Sequence, residues 1–139
     1  MRVFVVTNDF PPRIGGINSY VDQLFRRFPA GDVTIFSSTY RGAAAFDAQY
    51  PQEVIRLPTE MMLPTPGVRR ALHAQLRARR PDAVLFGALW PLGHMGPAIL
   101  RKTGTPYGGF SHGLELTGAL VPGLLGHICL LYTSPSPRD

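Results

Sequence analysis

The chain has 139 residues, 45% of them hydrophobic and 17% charged, a balance that excludes a disordered chain and allows one domain with a real core. No apolar run is long enough to span a bilayer. The chain also opens directly on a strand pattern, with no basic n-region, apolar h-region or cleavage site, so secretion is not expected and a cytoplasmic location is. The net charge of +5 suits anionic partners such as nucleotide phosphates and phospholipid headgroups. With no aromatic platform among the basic residues and no recognised binding motif, nucleic acid is not an expected partner.

Val3, Phe4, Val5 and Val6 predict a first strand over residues 2–6. Ile17, Tyr20, Val21, Leu24, Phe25 and Phe28 then recur at helical spacing, with Asn18, Ser19, Asp22, Gln23, Arg26 and Arg27 on the other face. They predict an amphipathic helix over about residues 16–28. Between the two lies the stretch TNDFPPRIGGINSY, residues 7–20, with a Pro-Pro corner and the pair Gly15-Gly16. Strand, glycine loop and helix N-terminus is the arrangement that presents backbone N–H groups to a phosphate. Lacking Cβ atoms, Gly15 and Gly16 allow the loop positive φ and let a ligand come close to the backbone. The spacing is not GxGxxG, so a dinucleotide site is a poor fit. Spacing alone leaves a phosphate cradle and a plain turn equally open.

Residues 29–32 turn the chain into a second strand, 33–37, and a loop with Arg41, Gly42 and an alanine run leads to a short strand, 54–57. A proline-rich connection, 58–66, carries Met61, Met62 and Leu63 as exposed apolar residues ahead of a helix over about 67–79. Val68, Ala71, Leu72 and Leu76 form one face of that helix, and Arg69, His73, Arg77 and Arg80 line the neighbouring one. Basic and apolar residues in this arrangement fit an anionic membrane surface or an ordinary solvated helix face. Residues 83–86 read as a buried strand, a helix is expected from near Pro91 to near Lys102, and Gly104 and Pro106 punctuate the turn into a last strand, 107–110. Alternating strands and helices predict an α/β fold, a Rossmann-like parallel sheet covered by helices, which alone fixes no function. Ser111–Glu115 follow the last strand directly, where open α/β sheets gather ligands. His112 is the chemically versatile residue there, and Asp9 and Arg13 flank the Pro-Pro corner. The Arg13 guanidinium suits bidentate phosphate contact.

Three segments carry a family resemblance. VVTNDFPPRIGGINSYVDQL (5–24) resembles the N-terminus of retaining GT-B glycosyltransferases of family 4. FGALWPLGHMGPAIL (86–100) resembles the FGA-x-x-PL segment of the phosphatidylinositol mannosyltransferase branch, and HGLE (112–115) resembles the HG-[LH]-[DE] element. The motifs lie in the family's order and cover most of residues 2–128. Two departures, Trp90 before the Pro-Leu pair and Leu114 in place of a second His, bear on the acceptor more than on the reaction class.

The resemblance implies the N-terminal, acceptor-side half of a GT-B enzyme, with Gly15 and Gly16 facing the donor's phosphates across an interdomain cleft and His112 contacting the donor sugar. It makes Asp9, Arg13, Asn18 and Glu115 candidate acceptor or sugar contacts. The implied donor is a nucleotide-sugar, with GDP-mannose expected, and the implied acceptor is a lipid-linked, phosphoinositide-type hydroxyl. Reaction on the front face, with the departing phosphate helping to deprotonate the acceptor, needs no metal and no protein nucleophile. A cytoplasmic enzyme peripheral to the inner membrane face follows, with Met61, Met62, Leu63, Arg69, Arg77 and Arg80 as membrane contacts. Competing readings are a non-catalytic module binding anionic membranes through residues 61–80, and another nucleotide-binding α/β enzyme sharing only the first loop.

Residues 129–139 (CLLYTSPSPRD) do not continue the preceding pattern and match the translation of a transposon sequencing adapter without a mismatch. Such scars are excluded from fold reasoning. The expectation is one truncated domain over residues 1–128 and an artefactual tail over 129–139, the fragment alone being inactive. The single cysteine, Cys129, falls in that tail, so the cysteine count says nothing about redox compartment.

Overall fold

The computed structural model describes residues 1–113; Glu115 and the tail over residues 129–139 lie outside the described residues. Five strands, β1 (Val3–Thr7), β2 (Val33–Ser38), β3 (Glu53–Leu57), β4 (Ala83–Phe86) and β5 (Tyr107–Gly109), form one sheet in the order β3-β2-β1-β4-β5. Every neighbouring pair is parallel. The connections contain α1 (Gly16–Phe25), α2 (Ala43–Asp47), α3 (Pro66–Arg79), a 3₁₀ turn (Leu92–Met95) and α4 (Gly96–Thr103). This is the Rossmann-like parallel sheet expected from the alternating pattern. Among the described residues, no helix is long and apolar enough to cross a membrane.

The central strand reads VFVVT and is buried along its whole length, the continuous apolar run that a parallel strand covered on both faces requires. Alternation along the strand divides the core in two. Phe4 and Val6 join Phe36, Val84 and Phe86 beneath Leu72 and Leu76 of α3 and Ile99 of α4. Val3 and Val5 join Val33 and Ile35 beneath Val21 and Phe25 of α1. Helix α3 starts as its sequence directs, with Pro66 in the first turn and the Thr65 hydroxyl accepting from the Val68 N–H at 3.4 Å, a side-chain N-cap beside a proline that has no N–H to satisfy.

Several element boundaries differ from the sequence pattern. Helix α1 stops at Phe25 instead of Phe28, and a side chain from elsewhere meets the carbonyls at and just beyond its end. Gln52, 3% exposed, donates its Nε2 to the carbonyls of Phe28 (2.9 Å), Pro29 (3.2 Å) and Phe25 (3.4 Å) and accepts from the Gly31 N–H (3.2 Å). The alanine run is a short helix, α2, whose Phe46 meets Phe10 edge to face. The helix expected from Pro91 is split: a 3₁₀ turn comes first and α4 begins only at Gly96.

Arg56 on β3 holds the first loop in place. Its guanidinium donates to Asp47 (3.0 and 2.8 Å), to the Ser38 carbonyl (2.9 Å) and to the Pro11 carbonyl (2.6 Å). It also lies 5.2 Å from the centre of the Phe10 ring. Only 10% of the side chain is exposed, so its removal strands a carboxylate and two carbonyls. Arg56→Ala is expected to lower stability by about 3 kcal/mol in urea unfolding. Arg56→Lys should recover less than about half of that, because a point charge cannot reach three acceptors at fixed angles.

Candidate functional site

The chain runs outward from β1 to β3 and restarts at β4, so the crossovers diverge between β1 and β4. In sheets of this topology the crevice beyond the carboxyl ends at that point binds ligands. The strand ends here are stapled together. The Gly87 N–H donates to the Val6 carbonyl at 3.0 Å, Phe110 to Phe86 at 3.1 Å, and Leu89 to Phe110 at 3.1 Å. A Cβ at Gly87 would lie 2.6 Å from the Thr7 hydroxyl, so glycine there permits the close approach. The same hydroxyl accepts the Asp9 N–H at 2.9 Å and turns the loop. A cleft of about 180 Å³ opens between the two lips, lined by Asn8, Asp9 and Arg13 from the β1 end, Ala88, Trp90, Pro91 and Leu92 from the β4 end, and Met61 from the connection before α3. A larger hollow of about 580 Å³ lies among the residues that precede β4 and β5, at the wrong edge of the sheet for this purpose.

Asp9, Arg13 and His112 come together at this edge. His112 Nε2 is 2.7 Å from the Gly87 carbonyl oxygen; a carbonyl only accepts, so Nε2 carries the proton. The imidazole also meets Tyr20 edge-on at 6.2 Å. Tyr20, assigned by periodicity to the apolar face of α1, is 48% exposed and packs on the loop after β5. Arg13 donates to the Glu60 carbonyl at 2.8 Å and lies 5.0 Å from the centre of the Tyr40 ring, which fixes its direction.

The glycine pair does not use the left-handed freedom that its missing Cβ atoms allow. Neither Gly15 nor Gly16 lies in the left-handed region; Gly15 is extended, with φ 168°. Gly15 is needed because a Cβ there would meet Asn18 Oδ1 at 2.7 Å, whereas Gly16 borders open space. Asn18, read as part of the polar face, is buried, and its Nδ2 has no acceptor among the described residues. The first turn of α1 has no side-chain cap and no acidic residue. Unspent donors therefore gather at this helix start, where the macrodipole also favours negative charge.

Of the residues expected at a membrane, Arg69, Arg77 and Arg80 are exposed, as are Met61 (55%) and Leu63 (46%). Met62 is not: it is fully buried in the core with Phe4 and Leu72. The Asn8 amide clamps the Met62 backbone from both sides, Nδ2 to its carbonyl at 2.9 Å and Oδ1 from its N–H at 2.7 Å. That turns the side chain inward while its two neighbours face out. On α3, burial and the charges of Lys102, Arg77 and Arg69 push the His73 pKa down and favour its neutral form. Among the described residues, no three His, Cys, Asp or Glu side chains come close enough together to hold a metal.

An open parallel α/β sheet with a crevice at its switch point defines a broad class of ligand-binding folds and fixes no function by itself. The model of Glycosyltransferase Family 4 matches residues 14–133, and the chain belongs to that family. It is 38% identical over 124 residues to the GDP-mannose-dependent monoacylated alpha-(1-6)-phosphatidylinositol monomannoside mannosyltransferase of Corynebacterium glutamicum, covering 88% of this chain and 32% of that protein. It is also similar to the GDP-mannose-dependent alpha-(1-6)-phosphatidylinositol monomannoside mannosyltransferases of Mycolicibacterium smegmatis and Mycobacterium tuberculosis. The first is 32% identical over 124 residues, covering 86% of this chain and 32% of the relative. The second is 34% identical over 129 residues, covering 87% and 33%. The chain thus spans about a third of the length of these relatives.

Burial pushes the Asp9 carboxyl above its ordinary value, against the fields of His112 and Arg13. Between the unfolded and folded pKa values the folded state binds more protons, so this group makes stability fall as pH rises through that window. Asp9→Asn should therefore gain stability over the parent chain on going from about pH 3 to about pH 7. Urea unfolding of both chains at each pH checks this, and an unchanged difference would contradict it.

Proposed function

We propose that the chain is the N-terminal, acceptor-side half of a retaining glycosyltransferase that moves mannose from GDP-mannose to a lipid-linked hydroxyl acceptor of phosphoinositide type. The observation that carries this reading is the meeting of Asp9, Arg13 and His112 at the switch point, in a family 4 chain whose three relatives above are named as GDP-mannose-dependent mannosyltransferases. The uncapped first turn of α1, with the buried Asn18 Nδ2 beside Gly15, supports a role in meeting the diphosphate as charge builds on the leaving group. His112, held through Nε2 by Gly87, orients the donor sugar over the acceptor. Asp9 and Arg13 serve the acceptor, the first as a hydroxyl partner and the second as a phosphate partner. The reaction proposed uses no metal, and cations of a second domain complete the diphosphate site.

The product of the full-length gene, given GDP-mannose and a phosphatidylinositol mannoside, is expected to release GDP and form a mannosylated lipid. Failure to transfer or hydrolyse sugar from GDP-mannose, UDP-glucose and UDP-GlcNAc alike would overturn the reading. His112→Ala should lower kcat by about 10²-fold in that assay, the loss typical of one preorganised contact to the reacting group.

For the membrane, the reading places exposed Met61 and Leu63 and the basic face of α3 on an anionic surface at the cytoplasmic side. Helix α3 carries four arginines and no acidic residue, which favours such a surface at about 1 kcal/mol per cation near it. The chain is expected to co-sediment with vesicles containing anionic lipid, and Arg69→Ala/Arg77→Ala/Arg80→Ala to lose most of that binding. Binding undiminished in the triple variant would contradict this placement.

A further inference from the structure

We propose that helices α3 and α4 hold between them a second anion site, which takes a soluble ligand carrying two phosphate groups. The site lies in the helical layer, apart from the crevice at the strand ends, and it stands independently of the functional reading above.

A hollow of about 330 Å³ lies between the two helices, lined by Arg69, Arg70, His73 and Arg77 of α3 and by Lys102 of α4. That volume is at the lower end of the ~300–1,000 Å³ typical of small-molecule pockets. No acidic residue lines it. On α3 the four side chains follow one another at helical spacing, so they form a single stripe. Lys102 meets that stripe from the neighbouring helix. The hollow shares Arg77 and Lys102 with the larger one that precedes β4 and β5.

The fold leaves most of these cations without a counter-charge. Arg26, Arg56 and Arg79 each have a carboxylate partner, and Arg69 donates its Nε to the Pro64 carbonyl at 2.9 Å. Among the described residues, the side chains of Arg70, Arg77 and Lys102 form no ion pair or hydrogen bond. Helix electrostatics accounts for only some of them. Arg77 and Lys102 lie in the last turns of α3 and α4, where the macrodipole favours a cation. Arg69 and Arg70 lie near the start of α3, where it disfavours one. Like charges three or four residues apart also repel, and an anion seated along the stripe offsets both costs.

His73 sits at the centre of the stripe. Its Nδ1 is buried and has no hydrogen-bond partner among the described residues. Burial, then the charges of Lys102, Arg77 and Arg69, push its pKa down. A phosphate among the same cations reverses that field, so the ring takes up a proton and donates to the ligand. The spacing sets the ligand's size. From Arg70 to Arg77 the helix rises about 10 Å, too far for one phosphate to engage both ends. Two linked phosphates fit, with the imidazole between them. Arginine forks suit phosphate oxygens in pairs, and Lys102 adds a point charge.

The probe is inorganic diphosphate, titrated into the 139-residue chain by calorimetry at physiological ionic strength. It should bind at least about tenfold more tightly than inorganic phosphate, the gain expected from one more charge-assisted contact. Arg77→Ala and Lys102→Ala should each weaken it about tenfold, and Lys102→Arg should retain it. Arg13→Ala, at the crevice, should leave diphosphate affinity unchanged. An NMR titration of the His73 ring should show its pKa rising when diphosphate saturates the chain. Lys102 separates this site from the membrane face, because Arg69 and Arg77 belong to both and Lys102 to the groove alone.

Equal affinity for phosphate and diphosphate would overturn the proposal, as would an unmoved His73 titration or undiminished binding by a folded Lys102→Ala chain. Loss of binding in Arg13→Ala would put the diphosphate in the crevice and overturn it too. So would binding to anionic vesicles without measurable affinity for diphosphate, which would leave α3 with its membrane face alone.

Discussion

β1 lies between β2 and β4 with both faces buried, and it runs parallel to each neighbour. A parallel pair cannot be closed by a hairpin, so every connection must cross back over one face of the sheet. All carboxyl ends consequently collect along one edge. Because β2 and β3 extend one way from β1 while β4 and β5 extend the other, the loops leaving β1 and β4 part from each other, and a crevice follows from the topology before any side chain is chosen. What the side chains add is its width. Glycine at 87 lets the two lips approach to the point where the Thr7 hydroxyl fills the space a Cβ would need, and the same hydroxyl turns Asp9 into the loop.

Most of the sheet was legible because its information is local. An apolar run bounded by turn residues is a buried parallel strand, and β1, β2 and β4 follow that rule to within a residue or two. The departures come from long-range partners. No pattern near Phe25 announces that α1 will end there and that Gln52, far along the chain, will take the carbonyls at and beyond its end. Met62 reads as exposed between two residues that are exposed, and only the Asn8 clamp turns it inward. Asn18 shows the same limit from the other side: polarity put it outside, and the room left by Gly15 draws it in. The glycine pair was correctly marked as special, but the reason is space for a neighbouring side chain and not a left-handed backbone.

The site divides in the same way. His112 and Gly15-Gly16 are visible as motifs, since each lies at a strand end or helix start that the sequence locates. Asp9 and Arg13 are visible only as flanks of a corner; their convergence with His112 depends on β5 pairing with β4, a contact between distant parts of the chain. Gly87, Thr7 and Tyr20 went unread as site residues. A glycine directly after a buried strand, facing a Thr-Asn-Asp turn after another, was the available signal for the first two. Tyr20 had none, because its helical spacing is that of a core residue.

The pairing of the Asn8 amide with the Met62 backbone has a geometric consequence. Asn8 belongs to the lip of the crevice, and Met62 is flanked by two outward-facing apolar side chains on a different crossover. Two hydrogen bonds, with a buried side chain anchored below them, join these segments without an intervening flexible stretch. Met61, which lines the crevice together with Asp9 and Arg13, is therefore held at a fixed place against them by a clamp one residue away. The width of the crevice on that side is thus set by a contact between two crossovers distant in sequence, and loosening the clamp would move one wall without touching any residue of the strand ends.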